Sequence, residues 1–411
     1  MSLLNKKRKI ALICIGSMFY LGCFSSCRNQ SESVMDIRVF EKTNPVKIEK
    51  KSAIVSDYAG GYEWKEEYDL YLYRESADFS DYYKDAHFVR KDVEYKKEYE
   101  SLLLSKVYKN YLYFHLIDAE KVNRVFRYDM TNGTEEEIFT YDEPNQMSIA
   151  ALNDEYIIWQ EDENANWMKV SLNCYDIRKG ENTRFFTYSR DENGYNSWNF
   201  DNIVLDGDHV YFDDIEGKEN GKAVMNLYDY DIAENTLDSI DRKRATNPMT
   251  YKGLSWLSYD DENDEYILKN RNNPNVVRLG SKYFNLISSK NIAVGQSNRD
   301  IDKDGIIYFD GKDSYPILQS TNSIDSVGCT DEYIVWDGWS HDAPLFYDRK
   351  NDTIIRVDCL EQGLRYAGYV SEDYLVFGAH EYVPDPDGPG DSAVTTEALV
   401  YYYVKTSDLK R

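Results

Sequence analysis

Of 411 residues only 9 are proline and 22 glycine, too few for a long linker or a low-complexity chain. Histidine is scarcer still: the five copies, at 87, 115, 209, 341 and 380, share no metal-ligand spacing. His209 reads as structural. Six cysteines occur, and only Cys174, Cys329 and Cys359 lie beyond the N-terminal leader. An odd set without C-x-x-C spacing is neither a disulfide framework nor a zinc site, so these read as free, buried thiols. Positive charge is also lacking, with 48 basic against 73 acidic residues and a net charge of −25. Such a chain repels nucleic acid and anionic membrane surfaces. No G-x-S-x-G elbow appears, and acidic residues are so abundant that any carboxylate pair drawn for glycoside chemistry is uninformative. On these grounds the chain is expected not to be an enzyme and to need no cofactor.

What is abundant is tyrosine, 37 copies within an aromatic content of 15%, a composition suited to half-buried sheet surfaces. The first 27 residues differ from the rest. Lys6, Lys7, Arg8 and Lys9 precede the apolar run "IALICIGSMFYLGCFSSC", the basic and hydrophobic regions of an export signal. The endings "YLGC" and "FSSC" resemble the bacterial lipobox, with Cys27 the expected lipidated residue and Cys23 the alternative. Residues 1–27 are thus expected to be a lipoprotein signal peptide, and the chain to sit in the bacterial cell envelope, held to the membrane by its lipid outside the cytoplasm. Residues 28–45 read as a tether that includes a candidate ring-closing strand, and 46–411 as one domain.

That domain repeats a phrase. "NDEYIIWQ" at 153–160 returns as "TDEYIVWD" at 330–337, with looser copies "NYLYF", "DHVYFDD", "GLSWLSYD", "NIAVGQS" and "EDYLVFGA", and a diverged first copy "SAIVSDYA" at 52–59. A second phrase follows most copies, such as "RVFRYDMTNG" and "LNCYDIRKGEN". There the Asp side chain can bond amides two residues on and close a turn. Each unit reads as three or four antiparallel strands joined by hairpins, at a 40- to 50-residue period that marks a β-propeller. The pattern resembles the TolB-like and WD40-like repeats of bacterial exported proteins. The expected fold is all-β, a propeller of about eight four-stranded antiparallel blades, or of seven if residues 46–105 are an extension. The last blade lacks a fourth strand, which residues 36–40 or 46–51 are candidates to supply.

Within that frame the loops from each second to third strand share one face and sum to −19 in charge. They carry the candidate ligand-binding residues Trp64, Trp167, Asp337, Trp339, His341, His380, Tyr382, Asp385, Asp387 and Asp391. Aromatic faces among carboxylates suit a protein or carbohydrate partner. Asp300, Asp302 and Asp304 form a D-x-D-x-D-G string that could hold calcium, but position twelve is Gly311, and the string reads first as a hairpin turn. The sequence therefore points to a lipid-anchored, monomeric ring acting as a binding or scaffolding module. A propeller enzyme acting on saccharides or peptides, or an accessory subunit of an envelope complex, is the alternative.

Overall fold

The structure is a computed structural model. It describes residues 34–411 except 37, 57–62, 95–98, 119, 121, 142–145, 163–168, 190–202, 220–221, 243, 264, 273–276, 280–283, 298–302, 323, 339–342, 362–365 and 385–393. Among the described residues the strands form seven antiparallel blades, spanning 99–141, 146–189, 204–241, 245–279, 284–320, 324–356 and 366–405. In each, the strands pair in chain order, and the first strands of successive blades lie near one another round an axis. The first strand of blade 7 returns to that of blade 1. The ring is closed.

The repeated phrase is the second strand of every blade, from Tyr111–Asp118 in blade 1 to Tyr374–Pro384 in blade 7. Its polar lead-in has a structural reason. Asn153 accepts from the amides of Glu155 and Tyr156, Thr330 from Tyr333, and Ser371 from Tyr374, so each folds the turn that starts the strand. The same residues reach the neighbouring blade: Asn153 donates to Gly207 O and the Ser371 hydroxyl to Lys109 O. The Tyr-Asp turns form as read. Asp129, Asp176, Asp231 and Asp348 accept backbone N–H groups two or three residues on, at 2.8–3.2 Å. Four residues after each Asp the backbone is left-handed, at Gly133 (+70°), Gly180 (+69°), Asn235 (+52°) and Asp352 (+52°). Glycine and asparagine recur there because they tolerate positive φ.

The eighth copy is no blade. "SAIVSDYA" begins inside β2 (Lys47–Ser56), which pairs with β3 (Glu63–Leu72) as a hairpin; both are members of an N-terminal belt running round the outside of the ring. β1 (Val34–Met35) pairs in parallel with the last strand of blade 4. The β2–β3 hairpin widens blade 5 to six strands through β3. β4 (Glu75–Asp78) pairs in parallel with the last strand of blade 6. β5 (Val89–Glu94) completes blade 7, antiparallel to Val394–Lys405. The ring is thus closed by β5, while residues 36–40 and 46–51 serve blades 4 and 5. A chain with all seven second strands in place has no room for an eighth copy, whose apolar run is spent on blade 5's outer edge.

Two short helices fasten this belt, α1 (Val39–Lys42) and α2 (Phe79–Tyr82). Phe40 of α1 lies so close over Gly305 that a Cβ there would stand 2.7 Å from its ring. Gly305, read from sequence as a turn glycine after three aspartates, is instead a strand residue of blade 5 that admits Phe40. Phe79 of α2 packs with Tyr83, Phe346 and Phe377 between blades 6 and 7. None of the helices among the described residues is long and apolar enough to cross a membrane.

Candidate functional site

The seams between blades differ in material. Blades 5 and 6 share a core of fifteen buried residues including Ile306, Leu318, Trp336 and Ile354. Between blades 3 and 4, among the described residues, five buried residues form a cluster, Tyr211, Leu227, Ala245, Leu254 and Trp256. A polar group takes up the difference. Along the second strand of blade 3, alternation directs Val210 and Phe212 to the cluster shared with blade 2, and Tyr211 to blade 4. Asp213 follows Tyr211 on that face and is 2% exposed.

One oxygen of Asp213, Oδ2, accepts from the Thr246 hydroxyl and from the Asn247 amide at 3.3 Å. Its Oδ1 is buried with no hydrogen-bond partner among the described residues. Burial, with Asp214 adding repulsion, pushes the carboxyl up to about 7, so it exchanges a proton near neutrality. Thr246 and Asn247 open the first strand of blade 4, Ala245–Met249, whose pairing slips between Thr246 and Met249. Asn247 stands at φ +56° although it precedes Pro248, a position that favours extended backbone. Its side-chain amide donates to Leu286 O of blade 5 at 3.0 Å. One bulged, strained strand therefore ties three blades at the end of the ring where second strands finish and first strands begin. Perturbed carboxylates and backbone strain cluster at functional sites.

Other polar groups occupy the same level. His115 follows the aromatic of the blade 1 phrase, as Asp213 does in blade 3; it is 2% exposed, and burial lowers its pKa to about 4, leaving the imidazole neutral. Gln296 of blade 5 donates to Ile324 O of blade 6. Glu161, fully buried, is paired with Arg184 at 2.6 Å and accepts from Tyr141 of blade 1 at 3.0 Å. The signal for these groups was a polar residue interrupting each apolar phrase.

Of the sequence-derived site residues, the structure brings few into view. Trp64 lies on β3 of the belt, at the outer edge of blade 5, rather than in a second-to-third-strand loop. Asp337, His380 and Tyr382 are strand residues of blades 6 and 7. Their side chains, like that of Trp64, are outside the described set, as are Cys23, Cys27, Trp167, Asp300, Asp302, Trp339, His341, Asp385, Asp387 and Asp391. Asp304 begins a blade 5 strand, is buried, and accepts from the Ile324 amide at 3.1 Å. Among the described residues no group of three or more His, Cys, Asp and Glu side chains is set to hold a metal. His209 bonds Asp229 at 2.8 Å. Of the three thiols, Cys174 is buried and pushed up to about 12, whereas Cys359 is exposed, contrary to the buried reading.

No known family profile matches this chain, and no curated protein does. Solved structures do. A prolyl endopeptidase superposes with TM-score 0.50 at 9% identity over 78% of this chain and 51% of its own. An uncharacterised protein of Listeria monocytogenes EGD-e gives 0.47 at 12% identity, over 71% and 94%. An oligogalacturonate lyase of Vibrio parahaemolyticus gives 0.45 at 11%, over 88% and 98%. The chain spans about half the length of the prolyl endopeptidase. At these identities the likeness establishes the propeller fold. It also corrects one expectation: a propeller of this kind occurs within an enzyme, so the lack of a catalytic motif does not set the chain apart from enzymes.

Proposed function

We propose that this chain is the substrate-handling propeller of an enzyme acting on peptides or saccharides. It binds such a polymer at the end of the ring where the second strands finish. The observation that carries this reading is the buried Asp213 beneath a bulged first strand with Asn247 at φ +56°. Asp213 acts there as a positioning residue: it holds Thr246 and Asn247, and so sets the shape of the ring's mouth. The segments between second and third strands supply recognition, Trp339 and His341 contributing aromatic character and Asp385, Asp387 and Asp391 negative charge. The prolyl endopeptidase, by its name, acts on peptides, and one fold with different loops serves different substrates. The basic and apolar leader supports a location in the cell envelope, with Cys27 or Cys23 as the anchor.

Binding and turnover of proline-containing peptides and of oligosaccharides by the purified chain test this. The expected result is saturable binding of one class, weakened at least tenfold in Trp339→Ala and in the triple variant Asp385→Asn, Asp387→Asn, Asp391→Asn. Asp213→Asn should change KM more than kcat and flatten the pH profile near 7. Binding of neither class, or equal binding by all variants, would overturn the reading. Cys27→Ser and Cys23→Ser variants, fractionated and assayed for acyl labelling, test the anchor separately.

A further inference from the structure

The outer rim between blades 5 and 6 holds a cavity of about 140 Å³, on the belt and remote in sequence from the site above. Leu70 and Leu72 of β3 and Leu345 and Ile354 of blade 6 make an apolar floor, each at most 5% exposed. Lys47, Arg356, Ser76 and Asp78 stand round it. Glu49 is buried and is held by Lys47 at 2.5 Å, Lys51 at 3.1 Å and Arg356 at 2.9 Å. Asp78 lies 3.9 Å from Arg356. Lys47 and Arg356 are the cations that line the cavity, and Asp78 is the carboxylate beside them. Burial alone would raise the Glu49 pKa, yet Lys47, Lys51 and Arg356 outweigh it and hold the carboxyl below its usual range.

Both rim cations keep capacity for a ligand. The Lys47 side chain is 57% exposed and that of Arg356 31%, and an ammonium has three donors, a guanidinium five. Arginine beside lysine is the donor set that planar and tetrahedral oxyanions select. At roughly 10–15 Å³ of such space per water-sized group, the volume admits a phosphate and a few carbons. We propose that this cavity binds an organic phosphate, its oxyanion on Lys47 and Arg356 and its apolar part over Leu70, Leu72, Leu345 and Ile354. The walls come from the belt on one side and blade 6 on the other, so the ligand would clamp the belt to the ring.

Calorimetric titration of the full chain with inorganic phosphate, glycerol 3-phosphate and dihexanoyl phosphatidylglycerol tests this. The expected result is one site for at least one organic probe, bound more tightly than inorganic phosphate. Preference for the lipid assigns a headgroup, and preference for glycerol 3-phosphate a soluble phosphate; either supports the site. Lys47→Gln, a surface change that leaves the floor intact, should weaken binding at least tenfold. Glu49→Gln, which removes the competing carboxylate, should tighten it, and its direction separates ligand binding from a loss of fold. Absence of binding by all three probes at millimolar concentration overturns the proposal. So does equal affinity for inorganic and organic phosphate, or a Lys47→Gln variant that binds as the wild type does.

Discussion

The seam between blades 5 and 6 and the seam between blades 3 and 4 join the same kind of sheet by different means. The first is filled with aliphatic and aromatic side chains and is crossed on the outside by the belt, which passes from β3 on blade 5 to β4 on blade 6. The second has a small apolar cluster, no belt strand across it among the described residues, and a buried carboxylate bonded to the next blade. Apolar burial contributes roughly 25 cal/mol per Å² without geometric demands. A buried carboxyl stabilises only while its bonds and protonation are right. A closed ring therefore has strong seams and a weak one, and the weak one adjoins the strained strand that we place at the functional end.

Substitutions can break this contrast, and the largest effect belongs to the strong seam. Trp336→Ala, in the core of blades 5 and 6, should cost about 3–5 kcal/mol by chemical denaturation, while Leu227→Ala in the weak seam costs about 2–3 kcal/mol. Equal costs would mean that the seams are alike. Next is the belt: Gly305→Ala drives a methyl into Phe40 and should cost about 1–3 kcal/mol, with Phe40→Ala relieving most of the clash in a double-mutant cycle. Additive effects would show that α1 does not press on blade 5 in solution.

Asp213 sharpens the comparison through pH. Its pKa is raised on folding, to about 7, so the native state holds a proton that the unfolded chain has lost. Stability from this group accordingly falls as pH rises from about 4 to about 7, and the loss is complete above 7. Asp213→Asn removes that slope. Compared with wild type, the variant should gain roughly 2–3 kcal/mol between pH 5 and pH 8. The smallest effect is expected away from both seams. Gly133→Ala at φ +70° costs about 1 kcal/mol of turn strain, with the same value at all pH, as a control for the Asp213 series.

Much of the ring was legible because each blade repeats its instructions locally. The polar lead-in, the apolar run and the Tyr-Asp turn with glycine or asparagine four residues on each act within a few residues, and they gave the second strands and the hairpins. Belt strands carry no such local message. Val34–Met35 and Glu75–Asp78 are too short to show a period, and their partners lie more than 240 residues away. Ser52–Ala59 looked like a blade for the opposite reason: an apolar run fits an outer edge as well as a second strand. Asp213 was hidden among 73 acidic residues. The visible signs were a polar residue closing "HVYF" and a proline in "ATNPM", a residue that strand interiors admit at bulges.

Native-state hydrogen exchange, read amide by amide, tests the inequality of the seams most directly. The account predicts that amides of Val204–Asp206 and Ala245–Met249 exchange through openings of lower free energy than those of Phe284–Ser288 and Ile324–Cys329, and that the gap widens as pH-corrected rates are followed from pH 5 to pH 8. Uniform protection round all four strands, or greater protection beside Asp213, would contradict it.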